Sequence, residues 1–229
     1  MADYDTSRVS LRIIDPKSND TIGNSRLVMT SSGDSLTINA ETRYASGEHD
    51  NEVIQLRKSL DGEAPRLASY AHDFFGADNT LQMRDSLDVS SGMARCEVDS
   101  ATGATVHSTR LDVPVDTLAG SAELMMLERA LRQGRRDISF HAFACVSYPR
   151  IFAVEVQVPN ERERWPHYPG DLARLDMRPD LGAIGIWITP ILPRLDAWFD
   201  PENWSYVGGE FDRYFRGPHV IAVRERTSE

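Results

Sequence analysis

Positive charge is scarce in this chain: only two lysines, Lys17 and Lys58, and 25 basic residues in all against 35 acidic ones. The net charge of −10 excludes an electrostatic nucleic-acid surface, which needs concentrated cations to displace counterions from phosphates. Cysteine is scarcer still, with Cys96 and Cys145 alone, and two thiols make no zinc site of any usual kind. They either pair in an oxidising compartment or sit as two small buried hydrophobes. Long apolar runs are missing as well. A bilayer needs about 20 consecutive apolar residues, and the most apolar stretch, Ala183 to Leu192, is half that and contains Pro190, so no transmembrane helix is expected. No G-x-S-x-G elbow, G-x-G-x-x-G fingerprint, Walker-type loop, H-E-x-x-H pair or C-x-x-C motif occurs. An α/β hydrolase, a Rossmann enzyme, a P-loop protein and a zincin are thereby disfavoured. The first residues, Met1-Ala2-Asp3-Tyr4, lack the basic and apolar regions of a signal peptide. Two compartments stay open: cytoplasmic, or periplasmic if a start codon stands ahead of a mature exported chain.

What is present is ordinary globular composition, 41% apolar and 26% charged, enough to bury a core. Its arrangement has a period of two. Val9, Leu11 and Ile13 alternate with Arg8, Ser10 and Arg12, and Leu36, Ile38, Ala40, Thr42 and Tyr44 alternate with Thr37, Asn39, Glu41 and Arg43. Such alternation belongs to strands with one wet and one dry face. Further strands are expected over Arg26 to Thr30, Val53 to Leu60, Arg66 to Phe74, Leu81 to Leu87, Met93 to Val98 and Thr105 to Val113. After an interruption they resume at Ile138 to Cys145, Ile151 to Val158, Ala173 to Met177, Ala183 to Ile188, Leu195 to Phe199, Tyr206 to Phe211 and His219 to Arg224. Close spacing and half-polar strands favour an antiparallel meander.

The interruption, Thr117 to Gln133, has helical spacing: Leu124, Leu127 and Leu131 fall on one face, and Glu128 and Arg132 form an i, i+4 pair. Asp116 or Thr117 can cap its start and Gly134 can end it. The expected fold is therefore all-β with one helix: a single domain over residues 1–229, its curved antiparallel sheet closed into a barrel or roll, calycin-like or a spiral β-roll. Closure would remove the exposed edges that so many strands create.

Candidate chemistry is sparse. Ten of the 19 aromatic residues lie between Trp165 and Phe215, which suggests an aromatic-lined cavity or simply a barrel core of large side chains. Trp187, Trp198, Phe199 and Tyr206 are the candidate ligand contacts. Tyr70 and His72 share a strand face, with Asp73 on the other, so they can point together into a cavity as acid–base groups. Glu155, set between Val154 and Val156, is a third candidate if it points inward, where its pKa would shift. His141 and Cys145 share a face too, but a core cysteine beside a partly buried histidine explains them better than a nucleophile does.

Trp198-Phe199-Asp200-Pro201, followed by Gly208-Gly209-Glu210-Phe211 through Arg216-Gly217-Pro218, resembles the closing strands of uncharacterised bacterial β-roll proteins. The resemblance covers about the last 50 residues and carries no catalytic motif. It implies an exported protein, some of whose relatives are suspected of handling lipids, although no signal peptide is seen here. The expectation is a binding protein that holds an apolar or aromatic small molecule in a barrel cavity, without metal or cofactor. A cofactor-free barrel cyclase, isomerase or hydrolase using Tyr70, His72 and Glu155 is the alternative, and an interaction protein with no ligand is a third reading.

Overall fold

The computed structural model describes residues 6–58, 64–99, 103–146, 148–159, 161–180, 195–213 and 218–225. Eight strands come first: β1 (Ser7–Ile14), β2 (Thr21–Ser32), β3 (Ser35–Tyr44), β4 (His49–Arg57), β5 (Arg66–Phe75), β6 (Leu81–Asp88), β7 (Met93–Val98) and β8 (Thr105–Arg110). A two-residue strand β9 (Thr117–Leu118) and the helix α1 (Ser121–Arg132) follow. The chain then forms β10 (Asp137–Val146), β11 (Tyr148–Gln157), β12 (Glu163–Arg164), β13 (Asp171–Asp180), β14 (Leu195–Phe199), β15 (Tyr206–Asp212) and β16 (His219–Arg224). The expected strand at Ala183 to Ile188, with Trp187, lies outside the described residues. No described helix is long and apolar enough to cross a membrane.

One continuous ladder joins these strands in the order β8-β7-β6-β5-β4-β3-β2-β1-β16-β15-β14-β13-β11-β10-β9, with β12 paired to β13. The first eight strands are a meander, and β1 pairs with β16, so the C-terminal strands extend the same sheet. Every pairing is antiparallel except the short β9–β10 contact. The alternation reads out directly as burial: Leu36 and Ile38 on β3 are buried while Asn39 between β-face neighbours is exposed.

Of the barrel or roll expected, the hydrogen-bonded closure is not found. The path ends at β8 and β9, and no ladder joins these two strands, so the sheet is not closed by hydrogen bonds. It rolls over on itself instead. The β7–β8 edge lies against β10 and β11: Cys96 and Cys145 form a disulfide with Cα atoms 5.7 Å apart, and the His107 and Tyr148 rings sit 4.2 Å apart. Side-chain packing and one covalent bond thus do what hydrogen bonding does in a closed barrel.

The helix also starts later than its sequence suggests. Thr117 and Leu118 pair with His141 and Ala142 as strand β9, and the turn is made at Gly120, whose φ of 53° favours glycine. The end is as expected, at Gly134 with φ 79°, and Arg132 bonds Glu128 at 2.6 Å. Leu127, Ala130 and Leu131 pack with Leu11, Ile13, Leu175, Phe199 and Val220 on one side of the roll. Ala119 and Ala122 pack with Ile38, Ile54, Leu87 and Phe143 on the other. A third cluster, with Trp165, Trp198, Val207 and Ile221, covers the opposite face of β14–β16.

Candidate ligand cavity and its acidic end

Between α1 and the concave wall of the roll lies a hollow of about 1300 Å³. Well-packed interiors hold few voids larger than a water molecule, so an opening of this size is a feature of the architecture. Its wall is apolar over most of its extent, formed by Leu11, Leu27, Leu36, Ile38 and Leu56 from the sheet, Leu124 from the helix, and Phe143 from β10. Four of the seven methionines, Met29, Met83, Met125 and Met126, also line it. Methionine suits a surface that must adapt to the shape of what it meets.

One end of the hollow is different in kind. Strand register sets Glu52 of β4 opposite His72 of β5, and His72 opposite Asp85 of β6. Three titratable side chains therefore stand side by side on one face, because directly opposed residues project the same way. Asp50, one alternation away from Glu52, comes within 3.9 Å of His72 Nε2 and accepts a hydrogen bond from the Tyr44 hydroxyl at 3.4 Å. Tyr70 neighbours His72 on the same face, edge-on to Phe143 with ring centres 5.7 Å apart. From the helix, Glu123 completes the group.

Glu52 also starts the helix. Gly120 at the N-cap has no side chain to offer, and the Ser121 N–H donates instead to Glu52 Oε1 at 3.1 Å, with the Ser121 hydroxyl donating to the same oxygen. A carboxylate at this position satisfies orphan N–H groups and sits at the positive end of the helix dipole. The cost is desolvation. Burial raises the Glu52 pKa, and the Ser121 hydrogen bonds only partly offset it. Burial likewise pushes Asp85 up to about 7, against the pull of His72, and pushes Glu123 up to about 8, helped by Glu52. Tyr70 is raised well above its ordinary value by burial and then by the surrounding carboxylates. For His72, burial disfavours the imidazolium, but Asp50, Glu52 and Asp85 outweigh it and the pKa rises. The end of the hollow is thus a proton-rich acidic nest with one base in it.

Of the residues singled out by sequence, Tyr70, His72 and Tyr206 line the hollow. Phe199 is fully buried in the core behind it, 5.7 Å from the Tyr206 ring. Trp198 faces the other side of the sheet, where its indole stacks on Trp165 at 5.4 Å and 11°. Adjacent residues on a strand point to opposite faces, so Trp198 and Phe199 do not share a cavity. Glu155 is exposed, between buried Val154 and Val156, and does not reach the hollow. Trp187 lies outside the described residues. Asp50, Glu52, Asp85 and Glu123 were not singled out by the sequence reading, though each shares a face with residues that are buried.

The one grouping of three ligating atoms among the described residues is Asp85, Cys96 and Cys145. Both sulfurs are committed to the disulfide, which leaves a single carboxylate and no metal centre there.

No family model matches the sequence, and no curated protein matches it. Among solved structures the chain is similar to a beta-barrel-like protein of a domain of unknown function, DUF1849, from Brucella abortus. The likeness is weak, with 12% identity and a TM-score of 0.46, but it covers 96% of this chain and 95% of that one. It extends over most of the fold, beyond the C-terminal segment on which the sequence resemblance rested.

Proposed function

We propose that this protein binds an apolar small molecule in the hollow between α1 and the concave face of the sheet. The observation that carries this reading is the hollow itself: about 1300 Å³ walled mainly by Leu, Ile, Met and Phe. Filled with water it would hold roughly forty molecules at ~30 Å³ each, most of them against hydrocarbon. Their release by a guest is the driving force, at about 0.8 kcal/mol for each methylene buried. The methionines favour a class of guests over one precise shape.

A titration with a fluorescent hydrophobic probe tests this. One saturable site is expected. Ala40→Phe, which sets a ring into the wall of the hollow, should weaken binding about tenfold, whereas Ala71→Phe on the exposed face of β5 should leave it unchanged. Absence of saturable binding, or equal affinity of Ala40→Phe and the parent chain, would end the proposal.

A second reading, catalysis without a cofactor, is favoured by the Glu52–His72–Asp85 row with Tyr70 beside it. Raised carboxyl pKa values near neutrality suit general acid–base work. Turnover of a bound guest that disappears in Tyr70→Phe and His72→Ala, with binding retained, would support this reading. Unchanged turnover in both would exclude those residues as its catalysts.

A further inference from the structure

We infer that the guest is an amphiphile with a positively charged nitrogen, its ammonium seated among Glu52, Asp85 and Glu123 and its apolar part running along the methionine-lined wall. This deepens the binding reading above and rests on it. Two independent observations lead to it. The first is the imbalance of charge at the acidic end: four carboxyl groups, Asp50, Glu52, Asp85 and Glu123, surround one histidine, His72. The Arg213 guanidinium also lines the hollow, but it is committed to other groups. It lies 3.5 Å over the Tyr44 ring and bonds Glu48 at 3.0 Å.

The second observation is an unmet bonding capacity. Glu123 lines the hollow half-buried, and no hydrogen bond or ion pair among the described residues reaches its carboxyl. Glu128, one turn further along the same helix, differs: it pairs with Arg132 and accepts from the Tyr206 N–H at 2.9 Å. On β6, Asp85 Oδ1 is buried with no partner among the described residues. Buried polar atoms are nearly always satisfied, and those left open in a native fold call for a partner from outside it. A donor with several N–H groups and a positive charge supplies what both carboxyls lack. The Tyr70 ring lines the same space, and an aromatic ring there can add a cation–π contact. An anionic head group would meet like charge here, and a neutral hydroxyl could satisfy one acid without compensating its charge.

The cation also accounts for where the protons go. Asp50 and Glu52 on β4, Tyr70 and His72 on β5, Asp85 on β6 and Ser121 and Glu123 on α1 all face this end. Protons held by Asp85 and Glu123 leave as the ammonium arrives, so affinity rises with pH through the range near 7 to 8 in which those acids ionise.

The test is displacement of the fluorescent probe from the full chain by dodecylamine, dodecanol and dodecanoate, which share one tail. Dodecylamine should bind at least about tenfold tighter than dodecanoate, with dodecanol between them. In a Glu123→Gln, Asp85→Asn double variant the preference for the amine should collapse to within about threefold while dodecanol affinity is kept. Dodecanoate binding as tightly as the amine, or a preference that survives in the double variant, overturns the inference but leaves the hollow as a binding site. If the probe itself finds no saturable site, the binding reading fails and this one with it.

Discussion

Replacing Glu123 by glutamine should make the protein more stable, and only at higher pH. The parent carboxyl has its pKa pushed from 4.5 up to about 8 by burial and by Glu52. A carboxyl whose folded pKa is raised contributes stability that is fully present below its unfolded value and is lost as pH climbs through the folded value. The window for Glu123 therefore runs from about pH 4.5 to about pH 8. At about 1.4 kcal/mol per unit, the fully desolvated limit is on the order of 5 kcal/mol. Glu123 faces a hollow able to hold water and is half-buried, so the expected effect is smaller, on the order of 1–2 kcal/mol. Glutamine keeps the shape, and it breaks no hydrogen bond of Glu123 among the described residues. Urea unfolding followed by circular dichroism would show equal stability of the two proteins near pH 5 and a gain for the variant near pH 8.5. A variant that is less stable near pH 8.5, or whose difference from the parent does not change with pH, would refute the placement of an ionisable group in a low-dielectric end of the hollow.

Three further outcomes follow from other parts of the roll. Changing Cys96 and Cys145 both to serine opens a loop of 49 residues, which by chain entropy should cost up to about 4 kcal/mol and lower the urea midpoint; a loss below about 1 kcal/mol would mean that packing alone holds the overlap. Gly120→Ala puts a β-carbon at a φ of 53° and against the Glu52 carboxylate, so thermal unfolding should show a loss of about 1–3 kcal/mol, with an unchanged melting curve counting against the tertiary cap. Gly208→Ala drives a methyl group into the Trp165 indole, 2.6 Å from its ring, and should unstack it from Trp198. Tryptophan emission should shift to the red with a stability loss of about 1–3 kcal/mol, and an emission spectrum like the parent's would refute that packing.

Much of this could be read from the sequence, for a physical reason. Alternation is local, and fourteen of the expected strands, from Val9 to Arg224, overlap described strands. The same rule placed Tyr70 and His72 on one face, and both line the hollow. Applied more strictly it would have separated Trp198 from Phe199, since neighbours on a strand cannot share a cavity. It would also have flagged Glu52, which alternates with Ile54 and Leu56, and Asp85, which alternates with Leu87. Glu123 precedes Leu127 by one helical turn, which is the equivalent signal on a helix. What alternation cannot supply is strand order. That Glu52, His72 and Asp85 form one row depends on β4, β5 and β6 being neighbours in register, and that Glu123 meets them depends on how α1 is seated. The overlap of β7 on β10 is equally non-local, being set by packing between segments about 50 residues apart.

The start of α1 has a consequence for assembly. Twelve residues are too few to hold a helix in water unaided, and the acceptor for its first N–H comes from Glu52, 69 positions upstream on another strand. The peptide from Ser121 to Arg132 is thus a poor helix by itself and gains its shape only where the early meander already stands. In refolding, helical ellipticity should appear together with the late, cooperative phase and not ahead of it, so that the last piece to become ordered is the one that gives the chamber its inner wall.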